Sequence, residues 1–196
     1  MRSRRKLHHS ESLGVINRCF KMEKKPYQPN MLFIGVMSTI GLPDSIKSTL
    51  ESEYGPILII TKPFRFSFTD YYNSEMGENI ERFFLCFSHL VYPDQLAKIK
   101  TMTNELEMVF ADQGKRKINL DPGLISENNL VLATTKNRSH RIAIGMGLYA
   151  EVTLVYQNHK WQSFPWTYAD YCSQTVQEEM LSFRSKYLEI RRKSIF

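Results

Sequence analysis

The chain predicts a single α+β domain with a largely antiparallel sheet and about three helices packed on it. Three observations lead there. Short apolar runs are rich in β-branched and aromatic residues, three longer stretches repeat an apolar residue every three or four positions, and strands follow one another instead of alternating with helices. With 196 residues, 42% of them hydrophobic and 23% charged, the chain can bury one generous core and is too apolar to be wholly disordered. Its longest apolar run, residues 31–37, is far short of the ~20 residues a membrane helix needs.

The elements follow in order. Residues 1–30 carry eight basic and two acidic side chains, the whole of the formal charge of +6, so residues 31–196 are electrically balanced. An Arg-rich start fits an organellar transit segment, a nucleic-acid arm, or a start placed upstream of Met22. Neither an amphipathic period nor an apolar h-region runs through it, so we expect residues 1–26 to be a disordered basic extension, with the upstream start preferred, and residues 27–196 to be the domain. Residues 31–38 read as a buried strand. Pro43-Asp44 opens a helix with Ile46, Leu50 and Tyr54 on one face, and Gly55-Pro56 stops it. Residues 57–60 form a second strand. Residues 64–72 alternate, with Phe64, Phe66, Phe68, Asp70 and Tyr72 on one face, and predict a third strand before a polar turn at residues 73–77.

A Phe-rich strand is expected over residues 82–91. Pro93-Asp94 then starts the clearest helix, with Leu96, Ile99, Thr103, Leu106 and Phe110 at 3-4-3-4 spacing. Four short strands follow at residues 115–120, 130–135, 141–144 and 148–156, and residues 161–164 return as a hairpin across Asn158-His159. A final helix spans residues 169–192 and ends on Arg191, Arg192 and Lys193, which suits the helix dipole.

Polar clusters at strand ends and turns supply the candidate chemistry. Asp70 sits beside Tyr71, with Glu75 close behind. Lys100 and Asn104 share a helix face, which a solvated surface explains equally well. Lys117, Asn119 and Asp121 line one strand face before the turn signal Pro122-Gly123. Lys136, Arg138, His140 and Arg141 crowd one loop, where Lys offers a point charge and Arg a bidentate fork to an anion. Tyr149, Glu151 and Thr153 alternate with apolar residues, which points Glu151 away from the core.

Carboxylates with cations are the mixture that Mg²⁺-assisted phosphoryl chemistry uses, and also the mixture of structural salt bridges. On the first reading Asp70, Asp121 and Glu151 hold the metal. Lys136, His140 and Arg141 bind phosphate, with Tyr71, Glu75, Asn119 and Tyr149 in support. The sequence has no P-loop, no dinucleotide-binding glycine loop, no nucleophile elbow and no zinc-protease motif. Its three cysteines, odd in number and without C-x-x-C spacing, signal neither a disulfide framework nor a zinc cage, which suits the cytoplasm.

Residues 32–37, Phe68-Thr69-Asp70-Tyr71-Tyr72, Lys100 with Thr103-Asn104-Glu105, Asn119 to Gly123, Leu130 to Lys136, His140-Arg141-Ile142, Tyr149 to Thr153 and Pro165-Trp166-Thr167-Tyr168 resemble, in this order, a bacterial family catalogued as domain of unknown function 4416. The resemblance covers roughly residues 30–190. It implies the label "GTP-binding protein", which finds no P-loop here to carry it. The expectation is a cytosolic protein that binds a nucleotide or phosphate ligand, with Mg²⁺ and phosphoryl chemistry as its extension. The alternatives are a non-catalytic assembly protein and an RNA-binding module. The neutral core argues against nucleic acid.

Overall fold

The computed structural model describes residues 26–194. Nine strands form one sheet, every pairing of which is antiparallel: β1 (Asn30–Ser38), β2 (Ile57–Ile60), β3 (Phe64–Arg65), β4 (Glu81–Val91), β5 (Ile118–Ile125), β6 (Asn129–Thr134), β7 (Ile142–Gly145), β8 (Leu148–Gln157) and β9 (Lys160–Ser163). Their order is β2-β4-β1-β5-β6-β8-β7, with β3 paired to β4 and β9 to β8. The helices are α1 (Asp44–Tyr54), α2 (Asn73–Met76), α3 (Leu96–Val109), α4 (Ala169–Cys172) and α5 (Gln174–Ser194). The α+β expectation holds, with α1, α3 and α5 as the three principal helices. Among the described residues no helix is long and apolar enough to cross a membrane. The basic segment ahead of Pro26 lies outside the described residues.

Alternation along β1 divides the core. Leu32, Ile34 and Val36 meet Ile46 and Leu50 of α1 and Leu96 and Ile99 of α3 on one face. Met31 and Phe33 meet Val176, Met180, Phe183 and Tyr187 of α5 on the other. Each fully buried side chain of this size is worth about 1.5–3 kcal/mol, so the central strand is anchored from both sides. The β8–β9 hairpin turns through Asn158 and His159, whose φ values of 51° and 62° are those of a two-residue type I′ connection.

Two expectations need correction. The run 64–72 is a strand only at Phe64 and Arg65, which pair with Arg82 and Glu81. Beyond it, local hydrogen bonds replace the ladder: the Tyr71 N–H donates to Thr69 Oγ1 (3.1 Å) and the Asn73 N–H to the Asp70 carbonyl (3.0 Å). Phe66, Phe68, Tyr71 and Tyr72 pack on one another there, with neighbouring centroids 5.0–6.0 Å apart. The polar turn expected next is the single helical turn α2.

The second correction is at Asp121-Pro122-Gly123, which is no turn. β5 runs straight through it because β1 pairs along its whole length, from Ser38↔Ile118 to Met31↔Ile125. β6 pairs with β5 only from Gly123 to Ile125. Pro122, which has no N–H to give a ladder, stands where that pairing stops. Gly123 permits the close approach that follows, since a Cβ there would lie 2.5 Å from the Phe33 ring.

Candidate functional site: a cavity where the sheet parts

Ahead of Pro122 the strands β5 and β6 separate, and a cavity of about 680 Å³ opens beside them. Asn119 and Asp121 of β5, Arg82 of β4, one side of α3, the end of β6, the aromatic loop after β3 and α4 all line it. This volume is ordinary for a small-molecule site, typically about 300–1,000 Å³.

The parting leaves the β6-facing edge of Leu120 without a strand partner, although Val36 of β1 still pairs with it on the other side, and α3 replaces the missing strand. The Leu120 N–H donates to Glu107 Oε1 (2.7 Å), and the Leu120 carbonyl accepts from Lys100 Nζ (2.8 Å). Two charged side chains, seven residues apart on a helix, thus complete the edge of a strand. They are almost fully buried, so the solvated face expected for Lys100 is corrected. Lys100 also reaches Asp121 Oδ1 (3.1 Å), and Asn119 Nδ2 donates to Asp121 Oδ2 (2.7 Å). Arg116 closes the web with bonds to Glu75 (2.5 and 2.8 Å), Glu107 Oε2 (2.7 Å) and Asn119 Oδ1 (2.9 Å).

The electrostatics follow from this wiring. Burial would raise the Asp121 carboxyl, but Lys100 and Arg82 outweigh it and hold Asp121 below the usual range. Glu107 goes the other way: burial, with Asp121 close by, raises it against the pull of Lys100. Glu75 is lowered chiefly by its bonds to Arg116. Burial first, and carboxylates next, raise Tyr72 and Tyr168, so both are neutral hydroxyls at pH 7.

Arg82 is a deeply buried charge in the wall, with 3% of its surface exposed. Its Nη2 donates to Asp170 Oδ2 (3.0 Å) and the Tyr171 hydroxyl (3.3 Å). Its Cζ lies 4.6 Å from the Phe84 ring centroid and 5.6 Å from that of Tyr171. Gly35 makes room beneath it: a Cβ there would stand 2.8 Å from Nη2. Burial disfavours the charge, but Asp170, Tyr171 and Asp121 more than restore it. Nε and Nη1 are buried without a hydrogen-bond partner. A buried donor left unpaired costs about 1–3 kcal/mol, more for a charged group, and these two nitrogens are closed off from the cavity as well as from bulk water.

The residues singled out from the sequence divide sharply. Asp121, Asn119, Lys136 and Tyr71 line the cavity, and Glu75 reaches it through Arg116. Lys136 stands over the Tyr71 ring, with Nζ 4.2 Å from the centroid. Asp70 is exposed and bonds Asn73 Nδ2 (3.1 Å), holding the start of α2. Glu151 faces inward and is buried, contrary to the reading from alternation. The β8 backbone irregularity against β6 near Val131 falls beside it, and two nitrogen-bearing side chains cover the carboxylate.

They are His140 (Nε2 to Oε2, 3.1 Å) and Arg141 (Nε to Oε2, 2.7 Å). Arg141 spends its remaining groups on the Lys136 carbonyl (2.8 Å) and the Tyr168 hydroxyl (2.9 Å). His140 stacks on Trp166, which stacks on Phe164, at 5.0 and 4.7 Å. Hence Glu151, His140 and Arg141 form a staple that places Lys136 and Tyr168 at the cavity. Tyr149, on β8, pairs in register with Thr134 and Ala143 and lies outside the cavity lining. Asp70, Asp121 and Glu151 do not gather, and among the described residues no three His, Cys, Asp or Glu side chains form a metal-binding group.

Arg82, Glu107, Arg116 and Asp170 were not singled out from the sequence. Arg82 carried one signal: it heads a run of phenylalanines, a charge that needs a partner if the strand is buried.

A single-sheet α+β domain with a cavity of mixed apolar and charged lining at a break in the sheet is the class these features define. The chain belongs to the family described as Domain of unknown function (DUF4416), whose match covers residues 28–187. That span contains every cavity residue named above. No curated protein and no solved structure matches the chain.

Proposed function

We propose that this protein binds a phosphate-bearing small molecule of nucleotide size in the cavity between β5 and β6, acting in the cytoplasm. Lys136 carries the reading: in the lining of a nucleotide-sized cavity its ammonium stands over the Tyr71 ring and has no ion-pair partner among the described residues. Aromatic faces at Phe66, Phe68 and Tyr72 suit a planar ring. Of the expected metal ligands only Asp121 lines the cavity, so any Mg²⁺ arrives with the phosphates and not in a protein cage.

Thermal unfolding of the full chain against GTP, ATP, nucleoside diphosphates and inorganic diphosphate, each with and without Mg²⁺, tests this. A ligand at 100 times its Kd adds about 2.7 kcal/mol. At this size that is a rise of roughly 5–11 °C. No shift with any of them at millimolar concentration, and no heat of binding, sinks the proposal.

A second reading, self-assembly, has its own observation. β7 ends the sheet, residues 142–147 carry no charge, and Ile142 and Met146 are 72% and 64% exposed. Pairing of β7 with β7 of a second copy makes a dimer that Ile142→Lys disperses. A monomer at all concentrations in sedimentation ends that reading.

A further inference from the structure

The charges around the cavity are unevenly distributed. Arg82, Lys100 and Arg116 face Asp170, Asp121 and Glu107, each cation already within 4 Å of a carboxylate. The inner wall therefore has no surplus positive charge, and a phosphate dianion placed there meets three carboxylates at short range. Lys136 is different. It is exposed, stands over Tyr71 at the mouth, and has no carboxylate in ion-pair distance among the described residues. Its backbone is fixed by the Arg141 bond to its carbonyl and by its own N–H donating to Thr134 Oγ1 (3.2 Å).

The inner wall, though neutral in sum, is rich in hydrogen-bonding groups of both kinds. Asp121 is half-buried, each of its oxygens takes one bond, and each keeps a lone pair for a donor. Tyr72 and Tyr168 add neutral hydroxyls.

Resting on the reading that a phosphate-bearing ligand occupies this cavity, we propose that it binds in one orientation. Its phosphate lies at the mouth on Lys136, and an uncharged planar heterocycle with N–H donors lies inside, against Asp121 and the Tyr72 and Tyr168 side chains. The site discriminates by the head group. Anions without one, such as inorganic phosphate or diphosphate, are poor ligands. Asp121 is the specificity-determining acceptor, because only a ligand that brings an N–H gains from it and a bare anion is repelled.

The test uses the full chain, titrated calorimetrically with GMP, AMP, CMP and UMP, the matching nucleosides, and inorganic diphosphate. At least one nucleotide should bind, its nucleoside roughly tenfold to hundredfold more weakly, the worth of one charge-assisted contact. Diphosphate should bind more weakly than the nucleoside. Lys136→Gln, a change at an exposed side chain, should weaken the nucleotide to the level of its nucleoside and leave the nucleoside unchanged. Asp121→Asn should weaken both by the same factor. Diphosphate binding as tightly as nucleotides, or Lys136→Gln weakening nucleoside and nucleotide alike, overturns the orientation while leaving the cavity reading intact. Binding by none of these probes overturns both.

Discussion

Arg82 and Asp170 form a buried pair whose two halves should be far more costly to lose separately than together. Their side chains are 3% and 7% exposed, and Nη2 lies 3.0 Å from Oδ2. Arg82→Met keeps the volume and the contact with Phe84 but strands the Asp170 carboxylate in a place with little water. Breaking one side of a buried pair costs about 3–5 kcal/mol. At roughly 2–4 °C per kcal/mol, the unfolding midpoint should fall by about 6–20 °C. Asp170→Leu should cost a similar amount, since it leaves a buried guanidinium with no carboxylate and with the Tyr171 hydroxyl as the acceptor left to Nη2. The double variant removes both charges, and replacing a whole buried pair with apolar residues is often neutral or stabilising by about 1–4 kcal/mol. Its midpoint should therefore return close to that of the parent. Urea unfolding of the four proteins gives the coupling energy directly. Additive losses in the double variant would refute the reasoning, because they would mean that each residue stabilises through contacts independent of the other.

Four further outcomes are expected. Burial pushes the Cys86 thiol up to about 12 while Cys172 is exposed, so native-state alkylation at pH 8 followed by peptide mapping should label Cys172 and spare Cys86. Glu75 is held below its ordinary value of 4.5 by Arg116, so the stability it contributes is present above that value and lost as pH falls through its lowered folded value. Glu75→Gln should therefore flatten the acid limb of a stability–pH profile and leave its shape at pH 7–8 unchanged. Gly123→Ala drives a methyl into the Phe33 ring and should destabilise by about 1–3 kcal/mol in urea unfolding, with no need of any ligand. Glu151→Ala leaves Arg141 without its carboxylate and frees the Lys136 loop. It should cost about 3–5 kcal/mol and raise the exchange rates of amides in residues 136–141.

The fold was legible wherever one period dominated. β1, β4, α1, α3, the β8–β9 hairpin and α5 follow from apolar spacing and from stop signals such as Gly55-Pro56. Failures came where side chains compete with backbone partners. Residues 66–72 alternate like a strand, yet Thr69 and Asp70 offer local bonds and no neighbouring strand extends beyond Glu81 to receive them. Asp121-Pro122-Gly123 reads as a turn, yet β1 holds it extended; a proline at a local end of pairing cannot be told from a turn proline by sequence alone. Residue types at the site were partly visible, since Asp121, Asn119, Lys136 and Tyr71 do converge. Arg141 and His140 were visible as cations, but their carboxylate comes from a strand whose alternation points it outward. Their role as a staple depends on which way Glu151 turns, and that is decided by packing between β6, β8 and the 164–168 segment.

Lys100 and Glu107 complete the Leu120 edge, and that substitution changes what the secondary structure depends on. An ordinary strand is held by neighbours that any sequence provides, because every residue but proline carries the same N–H and carbonyl. At this position the ladder is spelled in side chains, so a change on a helix can undo a rung of the sheet. The rung is also ionic, and its strength varies with the protonation of Glu107 in a way that no backbone pair does. The sheet thus has a seam whose stitching is genetically editable and chemically titratable, and the cavity opens along that seam.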